Sequence, residues 1–362
     1  MICVTHFNAC PPPLPFCSDY YADSVCPGSN GFKNIIGFGC VPTLGDAFTS
    51  ANVGGTTLIY SGVSMKTNDS SWGDAIAAAI SADAIILTLG TDKTCAEEGG
   101  DLSQISLPGL QSSFARAVLT AAGPTKPIVL LLISSFPVSL EELYDDLPAV
   151  ILGYNPGFGA AQVAAAVFGD INRWGRSVLT HYPSNYIQSV ALNDFQMTPS
   201  AVNPGRTYRY YNGAVGKATI TFGEGLSYNT QTVTCGVTSQ NGAPDMLIIS
   251  CNITSTSGPD GDQILHVFHR ASPAIIARIG NSHPIPLLTC VETQRVSVPA
   301  GATVNVIFQL LQGPALALVN ASGARNVYAG EHFLDIWDGS LNNVTLSFVA
   351  QTDQVVAVPP QP

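Results

Sequence analysis

Positive charge is scarce in this chain of 362 residues, which has 14 lysines and arginines against 25 aspartates and glutamates. The formal net charge is −11, and the basic residues form no cluster. Nucleic acids and anionic membranes are recognised through clustered positive charge, so neither is expected as a partner. No stretch approaches the roughly 18 consecutive apolar residues of a membrane-spanning helix. Hydrophobic residues still make up 46% of the chain, which favours a folded protein over a disordered one.

Several chemical motifs are also missing. No C-x-x-C pair occurs, so zinc ribbons and thioredoxin chemistry are not expected. No G-x-S-x-G elbow supports a serine hydrolase. The pattern Gly157-x-Gly159 continues to Gln162, where a dinucleotide fingerprint needs glycine or alanine, so a turn is the preferred interpretation. His266 and His269 lie three positions apart on a predicted strand and face opposite sides of it. We therefore expect no metal and no cofactor.

The cysteines and glycosylation sequons favour an oxidising compartment. Nine cysteines are present, of which five lie in residues 1–40, and the odd number leaves at least one thiol unpaired within the chain. Four N-x-S/T sequons occur, at Asn68, Asn252, Asn320 and Asn343. These features predict a secreted, disulfide-containing glycoprotein. The sequence after Met1 lacks the basic start and apolar core of a signal peptide, so we expect a further segment upstream.

One disulfide can be proposed from the sequence. Cys235 and Cys251 lie close enough in the chain to pair if the segment between them turns back. Cys290 is an equally available partner, so the alternative stays open.

The chain changes its pattern near residue 228. Before that point, short apolar runs alternate with helical stretches, which predicts β-α-β units and a mainly parallel sheet. The predicted strands are 57–60, 83–89, 127–133 and 149–152, and the predicted helices are 72–81, 110–122 and 160–168. After residue 246 only strand-like runs with turn residues between them remain, which is typical of an immunoglobulin-like β-sandwich.

The predicted architecture is therefore a three-layer, mainly parallel α/β sandwich followed by an immunoglobulin or fibronectin III-like β-sandwich. The α/β domain is assigned to residues 31–228 and the β-sandwich to residues 246–355. Residues 1–30 are rich in cysteine and proline and are predicted to form an irregular leader. Residues 229–245 are polar and are predicted to form a linker.

A cluster of carboxylates follows the buried strand that ends near Gly90. Glu97, Glu98 and Asp101 lie on a loop that also contains Gly99 and Gly100. In open parallel sheets, ligands bind outside the carboxyl ends of the strands. Three acids in this position suit acid/base chemistry, although an isolated acidic loop is more often a solvated loop.

The spacing of this loop and three later stretches resembles glycoside hydrolase family 3, in particular its plant and fungal β-xylosidase/α-L-arabinofuranosidase branch. The similar stretches, in order, are residues 98–111 (EGGDLSQISLPGLQ), 167–176 (VFGDINRWGR), 204–211 (PGRTYRYY) and 222–228 (FGEGLSY). Residues 258–262 and 298–301 resemble the family's fibronectin type III-like domain.

This resemblance implies a retaining β-glycosidase in which a (β/α)8-type barrel supplies an aspartate nucleophile. The α/β sandwich supplies the general acid/base, which by position in the motif is Glu98, with Glu97 as the runner-up. Asp101 is assigned to substrate binding. The implied substrate is a carbohydrate of the xyloside or arabinoside kind.

The sequence departs from the family in ways that leave two hypotheses. Only about 30 residues precede the α/β part, against the roughly 200 that a barrel needs. Leu102 stands where the family has arginine, and Glu224 where it has histidine. In the first hypothesis, the chain is the C-terminal part of a β-xylosidase-like hydrolase, inactive alone and completed by a barrel from an upstream segment or a separate chain. In the second, it is a non-catalytic carbohydrate-binding or structural protein of an extracellular or surface assembly.

A last expectation concerns the surface around the acidic loop. Because Leu102 is apolar, we expect residues 10–30 or another chain to cover the stretch from Glu98 to Leu102.

Overall fold

The computed structural model describes residues 2–5, 22–25, 32–34, 40–41, 43–63, 72–92, 102–191, 193–239, 245–280 and 282–357. The chain forms two compact units. The first comprises Met1–Ile171, His181–Gln188 and Gly216–Thr219, and the second comprises Asn172–Thr180, Ser189–Val215 and Ile220–Pro362. The second unit therefore includes parts of residues 172–228, which the sequence pattern assigns to the α/β domain. The predicted domain limits at residues 228 and 246 stay a prediction.

The first unit contains eight described strands and four helices. The strands are β1 (Ile2–Thr5), β2 (Ala22–Val25), β3 (Phe32–Asn34), β4 (Cys40–Val41), β5 (Leu58–Ser61), β6 (Ile85–Gly90), β7 (Ile128–Ile133) and β8 (Val150–Leu152). The helices are α1 (Leu44–Ala51), α2 (Gly73–Ser81), α3 (Gln111–Ala122) and α4 (Ala160–Phe168).

Five of these strands form a parallel sheet in the order β5-β1-β6-β7-β8. The central strand β6 is buried along its whole length, as its continuous apolar sequence predicts. Helices α1 and α4 pack on one face of the sheet through a cluster that includes Phe48, Ala164 and Leu131. Helices α2 and α3 pack on each other, and the ring of Trp72 before α2 lies 5.6 Å from Phe114 of α3. The predicted α/β fold class is confirmed.

The helix ends follow ordinary capping chemistry. Thr43 precedes α1, and its hydroxyl accepts a hydrogen bond of 3.0 Å from the backbone N–H of Asp46. Helix α4 ends at Gly169, which has a φ of 86° and therefore adopts a left-handed conformation that glycine favours.

The N-terminal residues differ from the irregular leader that the sequence predicts. Strand β1 lies between β5 and β6 in the parallel sheet, and β2 pairs with β3 in a small antiparallel sheet. The sequence Ile2-Cys3-Val4-Thr5 is apolar and β-branched enough for a short central strand. The many cysteines and prolines that follow these four residues led to the prediction of an irregular leader for the whole stretch.

The second unit contains ten strands and three helices in the described residues. The strands are β9 (Thr230–Ser239), β10 (Met246–Ser257), β11 (Gly261–Ala271), β12 (Thr289–Val298), β13 (Thr303–Leu311), β14 (Leu318–Val319), β15 (Arg325–Val327), β16 (Gly330–Trp337), β17 (Asn343–Ala350) and β18 (Gln354–Ala357). The helices are α5 (Thr207–Tyr210), α6 (Pro273–Ile279) and α7 (Gln312–Leu316).

These strands form antiparallel sheets in the orders β13-β10-β9, β12-β11-β16-β17 and β14-β15-β18. Alternate residues of the first two sheets, among them Ile249, Val267, Phe308 and Ile336, share one buried core. This arrangement is consistent with the predicted fibronectin III-like sandwich.

The predicted linker contains strand β9. Residues 230–239 pair antiparallel with β10, and Cys235 lies directly opposite Cys251 in the register. The two cysteines form a disulfide with a Cα–Cα separation of 4.1 Å, which confirms the predicted bond. Cys290 is a free, half-buried thiol. Sequence inspection missed β9 because threonines on its outer face make the stretch look polar, although threonine favours strands.

A buried arginine joins the loops of the second unit to its sheets. Arg176 is 9% exposed. Its Nε donates to the carbonyl oxygen of Asp338 at 2.6 Å, and one terminal nitrogen donates to Oε1 of Gln263 at 2.5 Å. Gln263 in turn donates to the Asp338 carboxylate at 3.3 Å. Burial lowers the pKa of Arg176, and the nearby charge of Asp338 opposes that shift.

We predict that Arg176→Ala lowers the free energy of unfolding by about 3–5 kcal/mol, because it leaves buried acceptors and a buried carboxylate without their cation. Urea denaturation measures this loss. The neighbour Arg173 is a matched control, since its side chain is 73% exposed and lies 3.9 Å from Asp262. Arg173→Ala should cost less than about 1 kcal/mol. Equal losses for the two variants would contradict the assigned role of Arg176.

A neutral histidine pair lies in the same unit. His269 on β11 and His332 on β16 are 2% and 0% exposed, and their Nε2 and Nδ1 atoms lie 2.9 Å apart. Nε2 of His332 lies 2.8 Å from the carbonyl oxygen of Tyr328, which only accepts, so this nitrogen carries the proton. His332 Nδ1 is then the acceptor, and His269 Nε2 is the donor. Burial, His332 and Arg270 together lower the pKa of His269 to about 3, against the opposing charge of Asp335.

This pair predicts acid sensitivity. His269 has a pKa of about 6.5 in the unfolded chain and about 3 in the folded chain. Its contribution to the free energy of unfolding is therefore complete above pH 6.5 and is lost as the pH falls toward 3. Between about pH 6 and pH 4, wild-type stability should fall more steeply than that of His269→Gln, by about 1.4 kcal/mol per pH unit. Glutamine keeps a donor for His332 but does not titrate. Parallel pH profiles from denaturant titrations would contradict the assignment.

Candidate functional site

The candidate site is the carboxyl edge of the parallel sheet in the first unit. Strand β6 ends at Gly90, β7 ends at Ile133 and β8 ends at Leu152. The segments that follow these strands carry polar side chains where parallel sheets bind ligands. This is the edge at which the sequence places the acidic loop.

Gln111 clamps the start of that loop to the helix after it. The Gln111 side chain is fully buried. Its Oε1 accepts from the backbone N–H of Gly90 at 2.8 Å, and its Nε2 donates to the carbonyl oxygens of Gly90 at 2.8 Å and Pro108 at 3.1 Å. Gly90 has a φ of 147°, and a Cβ there would lie 1.8 Å from the carbonyl oxygen of Ile133. Only glycine fits this exit from the strand.

Further hydrogen bonds hold both flanks of the loop against the segment after β7. The Thr91 N–H donates to the carbonyl oxygen of Ile133 at 2.9 Å, and its hydroxyl donates to the hydroxyl of Ser134 at 2.9 Å. On the other flank, the Ser139 N–H donates to the carbonyl oxygen of Ile105 at 2.6 Å. The two flanks of residues 93–101 are therefore fixed to one framework.

The predicted acidic residues Glu97, Glu98 and Asp101 lie outside the described residues. The same holds for Asn68 and, apart from strand β2 (Ala22–Val25), for residues 10–30, so the expected cover of the loop stays a prediction. Leu102, the first described residue after the loop, is half-buried.

A polar pair at the end of β8 was not anticipated from the sequence. Nδ2 of Asn155 donates to the hydroxyl of Ser135 at 2.7 Å, which links the segments after β8 and β7. Tyr154, just before it, has a φ of 48°, a strained conformation for a residue with a side chain. The Gly153-Tyr154-Asn155-Pro156 sequence signals a turn, but it does not reveal this bond.

Glu141 is a carboxylate of the first unit that is poorly suited to donate a proton. Its Oε2 accepts hydrogen bonds from the N–H of Ser184 at 2.9 Å and from the Ser184 hydroxyl at 2.8 Å. These bonds lower the pKa of Glu141, so it stays ionised at neutral pH.

His266 and His269 both lie on β11, as the sequence predicts, and they have different partners. His266 contacts the hydroxyl of Thr293 at 2.9 Å, whereas His269 contacts His332. Among the described residues, no group of three or more His, Cys, Asp or Glu side chains is arranged to hold a metal ion. No helix in the described part of the chain is long and apolar enough to span a membrane.

Three of the predicted glycosylation sites are described, and all lie in the second unit. Asn252 lies on β10 with its side chain exposed, Asn320 lies in the turn between β14 and β15, and Asn343 begins β17.

The first unit is therefore a mainly parallel α/β unit with a hydrogen-bonded polar framework at its carboxyl edge, and the second is an antiparallel β-sandwich. Residues 24–228 match the glycosyl hydrolase family 3 C-terminal domain, and the chain belongs to that family.

Similar proteins include β-xylosidases. Beta-D-xylosidase 1 of Arabidopsis thaliana is 31% identical over 312 residues, which cover 76% of this chain and 39% of that protein. Beta-xylosidase/alpha-L-arabinofuranosidase 1 of Medicago sativa subsp. varia is 33% identical over 162 residues, 43% of this chain and 20% of that protein. A solved family 3 exo-β-xylosidase, in complex with a xylobiose aziridine activity-based probe, has a TM-score of 0.76 and 23% identity over 99% of this chain and 46% of that chain.

The resemblance inferred from the motifs is therefore confirmed at the level of the family, and the solved structure supports the fold. The chain spans about two fifths of the length of the Arabidopsis relative.

We predict that Gln111→Ala lowers the free energy of unfolding by about 2–4 kcal/mol, because it leaves the buried N–H and C=O of Gly90 without partners. The same change should speed proteolytic cleavage between Thr91 and Leu102, measured by mass spectrometry of the fragments. Gln162 on α4 is exposed, so Gln162→Ala is the matched control and should alter neither property. Unchanged stability in Gln111→Ala would contradict the clamp.

Proposed function

We propose that this chain is the C-terminal part of a β-xylosidase-like glycoside hydrolase and supplies its acid/base loop. The observation that carries the proposal is the framework around residues 93–101. Gln111 and the Thr91–Ser134 bond hold the flanks of a loop whose sequence contains E-E-G-G-D. A catalytic carboxyl group needs such support, because small displacements of a reacting group cost large factors in rate.

In the proposed reaction Glu98 is the general acid/base, and Glu97 is the alternative. The protonated carboxyl donates to the leaving glycosidic oxygen while an aspartate of the barrel attacks the anomeric carbon. Water then hydrolyses the glycosyl-enzyme bond, and the same glutamate accepts the proton from that water. A retaining pair of this kind is separated by roughly 5 Å. The clustered charges of Glu97, Glu98 and Asp101 favour a raised pKa for one of them.

The proposed substrate is a xyloside or arabinoside, with Asp101 accepting hydrogen bonds from sugar hydroxyl groups. The support is the similarity to proteins named as β-xylosidases and as a β-xylosidase/α-L-arabinofuranosidase. The barrel would come from an upstream segment or a separate chain. The Cys235–Cys251 disulfide supports the accompanying proposal that the protein is extracellular.

The second candidate is a non-catalytic protein that binds carbohydrate or takes part in an extracellular assembly. The half-buried Leu102 favours it, because leucine at this position cannot donate to a sugar hydroxyl group as arginine does.

Purified residues 1–362 should not hydrolyse an aryl β-xyloside, because they lack the nucleophile for double displacement. Fusion of these residues to the barrel region of a family 3 β-xylosidase, in place of its own C-terminal region, should restore activity. In that fusion Glu98→Gln should lower kcat by about 10²–10⁴-fold for a substrate with a poor leaving group. Added azide should restore turnover of an aryl xyloside with a good leaving group, because breakdown of the glycosyl-enzyme then limits the rate and this anion attacks that intermediate without a general base.

Glu97→Gln in the same fusion is the control, and it should retain most of the activity. If Glu97→Gln is the variant that azide rescues, the roles of the two glutamates are exchanged. Turnover by residues 1–362 alone, abolished by Glu98→Gln, would overturn the requirement for a barrel. A folded but inactive fusion that binds xylo-oligosaccharides in calorimetry would favour the second candidate.

A further inference from the structure

Asparagines of this chain differ in how they use Nδ2, the atom that carries an N-linked glycan. Six described asparagines outside sequons donate from Nδ2 to a protein oxygen: Asn52, Asn155, Asn203, Asn305, Asn326 and Asn342. Two others outside sequons, Asn172 and Asn229, have an Nδ2 that is buried without an acceptor. The Nδ2 atoms of the three described sequon asparagines have no acceptor among the described residues, and these three are Asn252, Asn320 and Asn343. The nitrogen that a glycan needs is therefore free at these three positions.

Asn252 is oriented by its neighbour across the sheet. It lies opposite Asn305 in the β10–β13 register, on the outer face of the sheet. Nδ2 of Asn305 donates to Oδ1 of Asn252 at 2.8 Å and to the hydroxyl of Ser250 at 2.9 Å. Because Oδ1 of Asn252 is held toward Asn305, its Nδ2 is directed away from that partner. A glycan on Nδ2 leaves both hydrogen bonds intact.

Asn320 is oriented by its own turn. Its Oδ1 accepts from the N–H of Ser322 at 3.0 Å, the hydroxyl of Ser322 at 2.8 Å and the N–H of Ala324 at 2.9 Å. Backbone N–H groups only donate, so the side-chain oxygen must face them and Nδ2 faces the other way. Ser322 is also the hydroxyl residue of the sequon.

Asn343 lies at the start of an edge strand. It is exposed, and β17 is the last strand of the sheet β12-β11-β16-β17. The hydroxyl of Thr345, which completes the sequon, donates to Oδ1 of Asp335 at 2.6 Å. A polar, bulky group at this end of β17 would protect the exposed strand edge from pairing with another chain.

We propose that the second unit is N-glycosylated at Asn252, Asn320 and Asn343. In the transfer step Nδ2 forms a bond to C1 of the first N-acetylglucosamine and loses one proton. The bond from that carbon to the pyrophosphate of the lipid-linked oligosaccharide breaks, and the lipid pyrophosphate leaves. The proposal depends on passage through the secretory pathway and not on catalysis, so it can fail while the proposed function stands.

A glycan at Asn252 would lie on the outer face of the sheet β13-β10-β9. The positions around it are uncharged, and most bear a hydroxyl or amide group: Thr232, Thr234, Ser250, Thr254, Thr303 and Asn305. Ile307, opposite Ser250 and 50% exposed, is an apolar neighbour on the same face. A glycan at the centre of this face covers hydroxyl and amide groups and shields them from other proteins. We therefore assign this face to solvent and glycan.

The test is glycopeptide mapping of the full chain directed through the secretory pathway of a eukaryotic host. Peptide-N-glycosidase in heavy-oxygen water converts each glycosylated asparagine to labelled aspartate, which mass spectrometry locates. Label is expected at Asn252, Asn320 and Asn343. Each Asn→Gln variant should lose the mass of one glycan with no rise in Tm, because the glycan replaces no protein hydrogen bond.

Asn305→Gln is the matched control on the same face. It should leave the glycan mass unchanged and lower Tm, because it disturbs the bonds to Ser250 and Asn252. Absence of label at all three sites in secreted, folded protein would overturn the proposal. An unchanged glycan mass in Asn252→Gln would also overturn it for that site, since that result means that no glycan was attached there.

Discussion

The buried guanidinium of Arg176 is the interaction on which the organisation of the second unit depends. A charged group that is 9% exposed is tolerated only where acceptors surround it. Asp338 and Gln263 provide them from the hairpin after β16 and from β11. Gly339 lies so close that a Cβ there would be 2.5 Å from the Arg176 side chain, so the turn must contain glycine. These constraints explain why residues 172–180 and 220–228 group with the β-sandwich.

In the first unit, buried polar groups are paired by a neutral side chain, the amide of Gln111. Gly90 ends a fully buried strand, so its peptide N–H and C=O cannot form hydrogen bonds to water. The Gln111 amide satisfies both groups at once because it offers one acceptor and two donors. Both solutions lie within the motifs that resemble the family, residues 98–111 and 167–176. Part of each motif is thus explained by the satisfaction of buried backbone groups.

Sequence patterns predicted most strands of the parallel sheet. They missed β1 and β9, whose local composition is not typical of a strand. The apolar runs at 85–89 and 127–133 are buried strands, as their lengths and flanking glycine and proline suggested. Strand β1 was missed because four residues before a cysteine- and proline-rich stretch give too weak a signal. Strand β9 was missed because its outer positions are threonines. In both cases the residues form a strand because they pair with another strand, β6 for β1 and β10 for β9, and local sequence does not show that pairing.

The sequence predicts where the candidate site lies, but it does not predict the hydrogen bonds around it. A strand that ends at Gly90 and a following acidic loop point to this edge as the candidate site, since parallel sheets place their ligand sites there. The bonds of Gln111, and the link between Ser135 and Asn155, depend on tertiary neighbours that no spacing rule reveals.

The framework around the loop also bears on the proposed catalysis. In a retaining glycosidase, two carboxyl groups must stand roughly 5 Å apart, and in the arrangement proposed for this chain they come from different domains. Rigid flanks limit where the glutamate can lie on its own domain, but they cannot set its distance to a nucleophile on another. That distance is determined by how the barrel docks, so the framework around residues 93–101 is necessary for the proposed chemistry and is not sufficient for it.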